Sequence, residues 1–277
     1  MIRDKINNVR RNVKVAIMLL ALFTITGFSE AKDGESGRYG LLVTVIQDNP
    51  VLSSREEIDK LVDFSAIHHV EELFVQIYRA NKAWFPSEVG DSRVYEECLK
   101  TVGEDPFKLL IKKAHARGIK VHAWLNLLSL SANEDAKILK KYGPEILTKN
   151  LDKKKTLSDY KIDNQYFLEP GDMNVRKELL KMVEEILSAY PDLDGMHFDY
   201  IRYPDTKPDY GYTKMNMDRF KRFTGERTIG KGSHLWKDWK RRQVTELLRT
   251  LVEKTRVMRP EIAVSSTGCA PYMRAYF

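Results

Sequence analysis

The chain has 277 residues, of which 43% are hydrophobic and 31% charged, and its formal net charge is +7. This length permits one large domain or two small ones. Two cysteines without matching histidine spacing exclude a cysteine-based metal site. No nucleic-acid motif accompanies the basic residues, so nucleic acid is not an expected partner.

The first 31 residues have the pattern of a secretory signal peptide. A basic stretch precedes the apolar run Val15 to Phe28, and small residues follow at Ser29 and Ala31. The apolar run is short for a membrane span of about 20 residues, although an uncleaved anchor is the alternative. No cysteine follows the run, so a lipoprotein anchor is not expected. Removing these residues leaves a net charge of +4, and predicts a secreted or periplasmic protein without stable membrane insertion after cleavage.

Strands and helices alternate along the rest of the chain. Apolar, β-branched runs predict strands, while apolar stripes with helix-start and helix-stop residues predict helices. Ser54 with Glu57 predicts a helix start, and Pro106 and Gly118 bracket another helix. The predicted strands are 38–47, 71–80, 120–128, 193–204 and 261–270, and the predicted helices are 53–70, 105–119, 174–191 and 236–260.

This alternation predicts an α/β fold with a parallel sheet covered by helices. No glycine-rich phosphate turn follows a strand, which argues against a doubly wound nucleotide-binding sheet. Polar and aromatic residues follow the strands instead, as at the active face of a (β/α)8 TIM-type barrel. Only about five units are found, so we expect residues 32–277 to form an incomplete barrel that lacks its C-terminal units. A missed strand is the alternative, and 165–170 is the best candidate for it.

The stretch "LDGMHFDYIRYP", residues 193–204, places Asp199 near the end of a buried strand. A buried charge without partners is costly, so this carboxylate needs a partner or a function. The stretch resembles the signature of the family-10-like glycosyl hydrolases, secreted bacterial (β/α)8 glycosidases. "VHAWLN" and the helices on either side of the signature also match, over roughly Gly40 to Cys269. The resemblance implies hydrolysis of glycosidic bonds, with amino-sugar polymers such as peptidoglycan glycan strands among the substrates of such families.

Glycosidases generally use two carboxyl groups, and Asp199 is the first candidate, as nucleophile or stabiliser of the transition state. Arg202 is expected to keep it ionised, and a purely structural ion pair is the alternative. Glu169 is the candidate for the second, although a loop-turn role is favoured for it and an N-cap role for Asp172. The acid could also come from beyond Phe277. Asp194, at the start of the strand, is expected to have a turn or cap role.

Aromatic and polar side chains at three predicted strand ends are candidates for sugar binding, because rings stack on sugar faces and polar groups bind hydroxyls. His197 shares one side of its strand with Asp199, and a core role is an equal alternative for it. Trp236 and Trp239 are predicted to be packing residues. The candidate substrate-binding residues are Tyr78, Arg79, Trp84, His122, Trp124, Asn126, His197, Tyr200, Arg202 and Tyr203.

The sequence therefore predicts a secreted glycosidase whose partner is a polysaccharide or oligosaccharide. A non-catalytic carbohydrate-binding protein, or a relic on the same scaffold, is the alternative, because a second carboxylate is not evident. No metal or organic cofactor is implied. A disulfide between Cys98 and Cys269 is not favoured, since their contexts differ.

Overall fold

The computed structural model describes residues 39–204, 209–230 and 232–268. The predicted signal peptide and Cys269 lie outside these residues, so the export signal and the Cys98–Cys269 pairing stay predictions. Within the described ranges, no helix has the length and apolar character needed to cross a membrane.

Eight strands and seven α-helices occupy the described residues. The strands are β1 (Gly40–Val43), β2 (Glu72–Arg79), β3 (Lys82–Ala83), β4 (Lys120–Asn126), β5 (Ser129–Ser131), β6 (Tyr166–Phe167), β7 (Gly195–Asp199) and β8 (Ala263–Ser266). The helices are α1 (Arg55–Ile67), α2 (Arg93–Val102), α3 (Pro106–His115), α4 (Lys137–Tyr142), α5 (Met173–Ala189), α6 (Lys214–Thr224) and α7 (His234–Met258).

The main sheet has the order β1-β2-β4-β7-β8, and all four pairings between these strands are parallel. The predicted α/β fold with a parallel sheet is therefore confirmed. The strands follow one another in chain order, without the reversal that characterises a doubly wound sheet. Consecutive strands of a (β/α)8 barrel are arranged in the same way.

The segment 165–170, the best candidate for a missed strand, contributes β6 to a different sheet. β6 pairs antiparallel with β5 in a separate two-stranded sheet, so it adds nothing to the main one. Helices α2, α4 and α6 were not predicted. α4 has only six residues, and α2 and α6 bury little apolar surface, because Val102 is the only buried residue of α2 and Phe220 the only buried apolar residue of α6.

Local signals explain where the predicted helices begin. Ser54 accepts a hydrogen bond from the backbone of Glu57 at the start of α1, and Asp105 caps α3. Asp172 accepts from the backbone nitrogens of Asn174 and Val175 at the start of α5, which confirms its predicted N-cap role. These caps satisfy backbone donors that have no partner within the helix.

Alternation along the strands gives the sheet two different faces. One face packs on the helices in the main hydrophobic core, where Leu73, Val75 and Ile77 of β2 meet helix residues such as Leu110 and Val183. Trp236 and Trp239 are buried in a second cluster with Tyr212 and Phe220, which confirms their packing role. The opposite face of the sheet carries the polar residues.

Candidate functional site

We call one set of residues the polar face of the sheet: Thr44, Gln76, Trp124, Asn126, His197, Asp199 and Ser265. The parallel register places them side by side. Gln76 lies opposite Trp124, Trp124 opposite His197, and His197 opposite Ser265. Asn126 lies opposite Asp199 at the carboxyl ends of β4 and β7. Polar groups from five chain segments therefore meet on one surface, near the strand ends where barrel enzymes place their active sites.

Asp199 is held by two hydrogen-bond donors. Trp124 Nε1 donates to Oδ2 at 3.0 Å, and the backbone nitrogen of Tyr200 donates to Oδ1 at 2.7 Å. Asp199 as a whole residue is 8% exposed. Both oxygens keep lone pairs, so this fixed carboxylate can act on a bound sugar as a nucleophile or as an electrostatic stabiliser.

Arg202 does not take the predicted place beside Asp199. Its guanidinium lies over the ring of Tyr200, 4.9 Å from the ring centroid, and the donors to Asp199 are Trp124 and the Tyr200 backbone. Tyr200 has φ of 54°, a left-handed conformation that is unfavourable for a bulky residue. This unfavourable backbone directly follows Asp199, and such strain is common beside functional residues.

His197 is held between two hydroxyl groups of the neighbouring segment. Its Nδ1 lies 2.8 Å from Ser265 Oγ and its Nε2 lies 2.9 Å from Thr267 Oγ1. Burial lowers the pKa of His197, with the negative charge of Asp199 opposing that shift. A neutral imidazole with both nitrogens occupied supports the neighbouring Trp124, whose ring it meets edge to face.

Gln76 belongs to the polar face, and the sequence reasoning missed it. Its Oε1 accepts from Thr44 Oγ1 at 3.0 Å and from the Val45 backbone nitrogen at 3.2 Å, and its Nε2 donates to Asn126 Oδ1 at 3.0 Å. The available signal was a single amide within an otherwise apolar strand, "ELFVQIYR". The hydroxyls of Ser265 and Thr267 had no comparable signal, since serine and threonine are ordinary at strand ends.

His122 lies two layers below Asn126, at the level of Gly195. It lines a cavity of about 370 Å³ together with residues from the starts of the strands, including Glu72 and Asp194. The ring stacks on Phe74 at a centroid distance of 4.5 Å, and neither ring nitrogen has a hydrogen-bond partner among the described residues. His122 therefore lies toward the end of the sheet opposite Asp199, and its role in sugar binding stays a prediction.

We expect His122 to make the protein labile in mild acid. Burial lowers its pKa below the ordinary 6.5, while Glu72 and Asp194 oppose that shift and Lys120 adds to it. Below about pH 6.5 the unfolded chain binds more protons than the folded one, so stability falls as the pH falls, by up to about 1.4 kcal/mol per pH unit. Urea unfolding at pH 7 and pH 5 should show a smaller loss for His122→Phe than for wild type. Equal losses would contradict this assignment.

Glu169 lies in a different, fully buried cluster. Its Oε1 accepts from Tyr203 Oη at 2.5 Å and from the Gly171 backbone nitrogen at 3.2 Å, and the residue is 0% exposed. Oε2 has no hydrogen-bond partner among the described residues. Burial raises the pKa of Glu169, with the hydrogen bonds from Tyr203 and Gly171 opposing the shift. A raised pKa suits an acid, but a carboxyl group without exposure does not reach a sugar, so its catalytic role stays a prediction.

Replacing Glu169 by glutamine should stabilise the protein at neutral pH by about 1 kcal/mol. Since the folded pKa of Glu169 is raised, the folded state binds more protons above pH 4.5, and wild-type stability falls as the pH rises through that window. Glutamine has no such titration, and its amide can donate to the nearby Thr148 hydroxyl. Denaturant unfolding from pH 4 to pH 8 should therefore show the two stability curves diverging. Parallel curves would refute the raised pKa, and loss of glycan turnover in this variant would support an acid role.

The remaining candidates occupy three environments. Tyr78 is 1% exposed in the main core and accepts a hydrogen bond from Asn81 Nδ2, and its contact with a sugar stays a prediction. Arg79 and Trp84 are half-buried around the β2–β3 hairpin. Tyr200 and Tyr203 pack against a small cluster of Ile162, Phe167 and Tyr210.

Asp194 has the structural role predicted for it. Its Oδ2 accepts from the Val121 backbone nitrogen at 2.8 Å and lies 2.7 Å from His115 Nε2. It joins the starts of β4 and β7 to the end of α3. Within residues 39–204, 209–230 and 232–268, no group of three or more His, Cys, Asp or Glu side chains is placed to hold a metal ion.

Sequence comparison identifies relatives of the whole described region. The sequence profile of the family described as Glycosyl hydrolase-like 10 matches residues 43–276. Proteins named glycosyl hydrolase DigH in Escherichia coli strain K12 and in Shigella flexneri are 25% identical over 236 residues, which cover 79% of this chain and 50% of each relative. The chain thus spans half the length of these curated relatives.

Two solved structures share the fold. A hypothetical protein from Ruminiclostridium thermocellum ATCC 27405 has a TM-score of 0.53 at 17% identity, over 82% of this chain and 96% of that chain. The GH36 α-galactosidase AgaA from Geobacillus stearothermophilus has a TM-score of 0.50 at 12% identity, over 85% of this chain and 29% of the enzyme. At these identities the likeness concerns the fold alone.

Proposed function

This chain belongs to the Glycosyl hydrolase-like 10 family, and on that premise we propose that it is a glycoside hydrolase that cleaves O-glycosidic bonds of a polysaccharide. The observation that carries the proposal is the placement of Asp199 at the carboxyl end of β7. Trp124 and the Tyr200 backbone hold its carboxylate on the polar face, opposite Asn126. A carboxylate fixed in this way can stabilise or attack the positively charged carbon that develops when a glycosidic bond breaks.

We propose an amino-sugar polymer, with peptidoglycan glycan strands as the first substrate to test. The polar face supplies neutral hydrogen-bonding groups and a half-buried tryptophan, which suit an uncharged sugar ring with several hydroxyls.

We also propose that residues 1–31 direct export, which N-terminal sequencing of the exported protein would test. A mature chain that begins at Lys32 is the expected result.

The experiment that tests the function is a product assay on the full chain. Peptidoglycan glycan strands, chitin and neutral polysaccharides are incubated with the protein, and new reducing ends are measured together with the masses of released oligosaccharides. Release from at least one polymer, dependent on Asp199, supports a hydrolase. Absence of release from every polymer, despite measurable binding, would favour the second candidate.

The second candidate is a non-catalytic carbohydrate-binding protein on the same scaffold. It is favoured by one observation, the complete burial of Glu169, which leaves Asp199 without an accessible partner among the predicted carboxylates. Isothermal titration with oligosaccharides separates the two candidates. Binding that persists without turnover, and that Asp199→Asn leaves intact, supports the binding protein.

A further inference from the structure

The side-chain amide of Gln76 can take only one of its two orientations, with Oε1 toward Val45 and Nε2 toward Asn126. The Val45 backbone nitrogen lies 3.2 Å from the Gln76 side-chain amide, and a backbone N–H group can only donate. The atom facing it must therefore be Oε1, which also accepts from Thr44 Oγ1. The usual ambiguity between the oxygen and nitrogen of a glutamine amide is resolved here by the main chain.

The orientation of the Gln76 amide also fixes the orientation of the Asn126 amide. Because Oε1 of Gln76 is used, its Nε2 faces Asn126, and a donor there requires Asn126 Oδ1 as its acceptor, 3.0 Å away. We call the hydrogen-bonded series Thr44–Gln76–Asn126 the relay. Asn126, which is 2% exposed, is its last member, and among the described residues its side chain is seen only to accept, through Oδ1, from Gln76. Since Oδ1 is turned to Gln76 of β2, the other arm of the planar amide, Nδ2, points away from Gln76, and Asp199 of β7 is the register partner of Asn126 on the other side of β4.

We propose that Gln76 is a positioning residue that presents the Asn126 amide as a hydrogen-bond donor to a sugar hydroxyl bound between Asn126 and Asp199. This inference rests on the proposed function and deepens it, because it names the group of the substrate that this site recognises. A hydroxyl can accept from Nδ2 while it donates its single proton to the carboxylate. An amide oxygen in the place of Nδ2 would leave two acceptors competing for that proton.

Gln76→Glu tests the relay by reversing it. The Thr44 hydroxyl and the Val45 N–H group continue to donate to the new carboxylate, and Asn126 must turn its Nδ2 toward residue 76. The amide oxygen then faces Asp199. We expect kcat/KM on peptidoglycan glycan strands to fall at least tenfold, since a polar group of the site loses its partner. The Asn126 side-chain NH₂ signals in ¹⁵N NMR should shift from their wild-type positions, because Nδ2 then donates to a carboxylate, and a merely structural role would not produce this change.

Thr44→Val is the matched control, because it removes one hydrogen bond of the relay without changing its direction. Its effect on kcat/KM should be several-fold smaller than that of Gln76→Glu at a comparable loss of thermal stability. If Gln76→Glu does not fold, Asn126→Asp gives the same test, since it keeps the acceptor for Gln76 and replaces only the donor.

Two results would overturn the inference. One is an equal loss of kcat/KM in Thr44→Val and in the reversing variant, and the other is a pair of Asn126 side-chain NH₂ signals that stay at their wild-type positions in Gln76→Glu. A wild-type protein that binds these strands without cleaving them would remove the hydrolase proposal alone. The same variants are then compared by their dissociation constants, with the same tenfold expectation. A wild-type protein that neither binds nor cleaves them would overturn both proposals, while the NMR signals would still report the direction of the relay.

Discussion

Asp199→Asn is expected to lower glycan hydrolysis by at least about 10³-fold while leaving the fold intact. The carboxylate lies at the carboxyl end of β7 with its oxygens fixed by Trp124 and the Tyr200 backbone. An amide is neutral, so it neither attacks the reacting carbon nor stabilises positive charge there. Reducing-end release measured under substrate saturation, together with thermal unfolding, checks this expectation.

The variant also has a predictable structural cost. Asp199 accepts from Trp124 on one oxygen and from Tyr200 on the other, and asparagine offers only one acceptor oxygen to these two donors. One N–H group is left facing an amide nitrogen, which should cost about 1–3 kcal/mol of stability. Thermal unfolding therefore has to be measured alongside activity, so that loss of turnover is not mistaken for loss of folded protein.

Asp194→Asn is the matched control, since it makes the same substitution at the opposite end of the same strand region. Asp194 accepts from the Val121 backbone and contacts His115, so its replacement should lower stability by a similar amount without the loss of turnover. Undiminished hydrolysis in Asp199→Asn would remove Asp199 from the mechanism. Equal losses in both variants would assign the effect to stability.

Gly195→Ala should destabilise the protein by about 3 kcal/mol, which corresponds to roughly 6–12 °C in Tm for a chain of this size. A β-carbon on Gly195 would lie 2.7 Å from Cγ of the His122 ring and closer still to Nδ1. Phe74 stacks on the ring at 4.5 Å and restricts its retreat on that side, so the ring has to rotate out of its packed position. The glycine of the "LDG" signature is therefore explained by close packing against His122, a reason unrelated to catalysis.

Gly268→Ala is the control for the general effect of replacing glycine by alanine, since no atom of the described residues lies within 4 Å of a β-carbon there. Its stability should differ from wild type by less than about 1 kcal/mol. The double variant Gly195→Ala, His122→Ala removes the ring that causes the overlap, so the two effects should be strongly non-additive. Additive losses, or a Gly195→Ala protein as stable as wild type, would rule out the His122 contact as the cause.

For Glu169, the sequence allowed a catalytic acid, whereas the structure shows a carboxyl group that is completely buried. Its place in "FLEPGD", just before a helix, allowed either a catalytic group or a loop turn. The structure places Glu169 among Tyr203, Gly171 and Thr148 with no exposure, and its buried surroundings raise its pKa. A raised pKa in a buried site is compatible with a neutral structural carboxyl group. The glycan turnover of Glu169→Gln therefore distinguishes a structural role from a catalytic one.

The sequence by itself determined the features that depend on neighbouring residues. The alternation of apolar strands and periodic helices predicted the parallel α/β sheet, and Ser54, Pro106 and Asp172 marked helix starts that the structure confirms. Asp199 was also found this way, because a carboxylate near the end of an apolar strand is visible in a short stretch. These signals are local, since caps and strand periodicity act over only a few residues.

Only the tertiary structure decided which side chains meet. Gln76 and Asn126 are 50 residues apart, and their contact follows from the register between β2 and β4, which no local pattern specifies. Strand register likewise placed His122 against Gly195, away from Asp199, while tertiary packing put the guanidinium of Arg202 over the ring of Tyr200. Register and burial depend on packing among distant segments, so the contacts that shape this site arise only when the sheet is assembled.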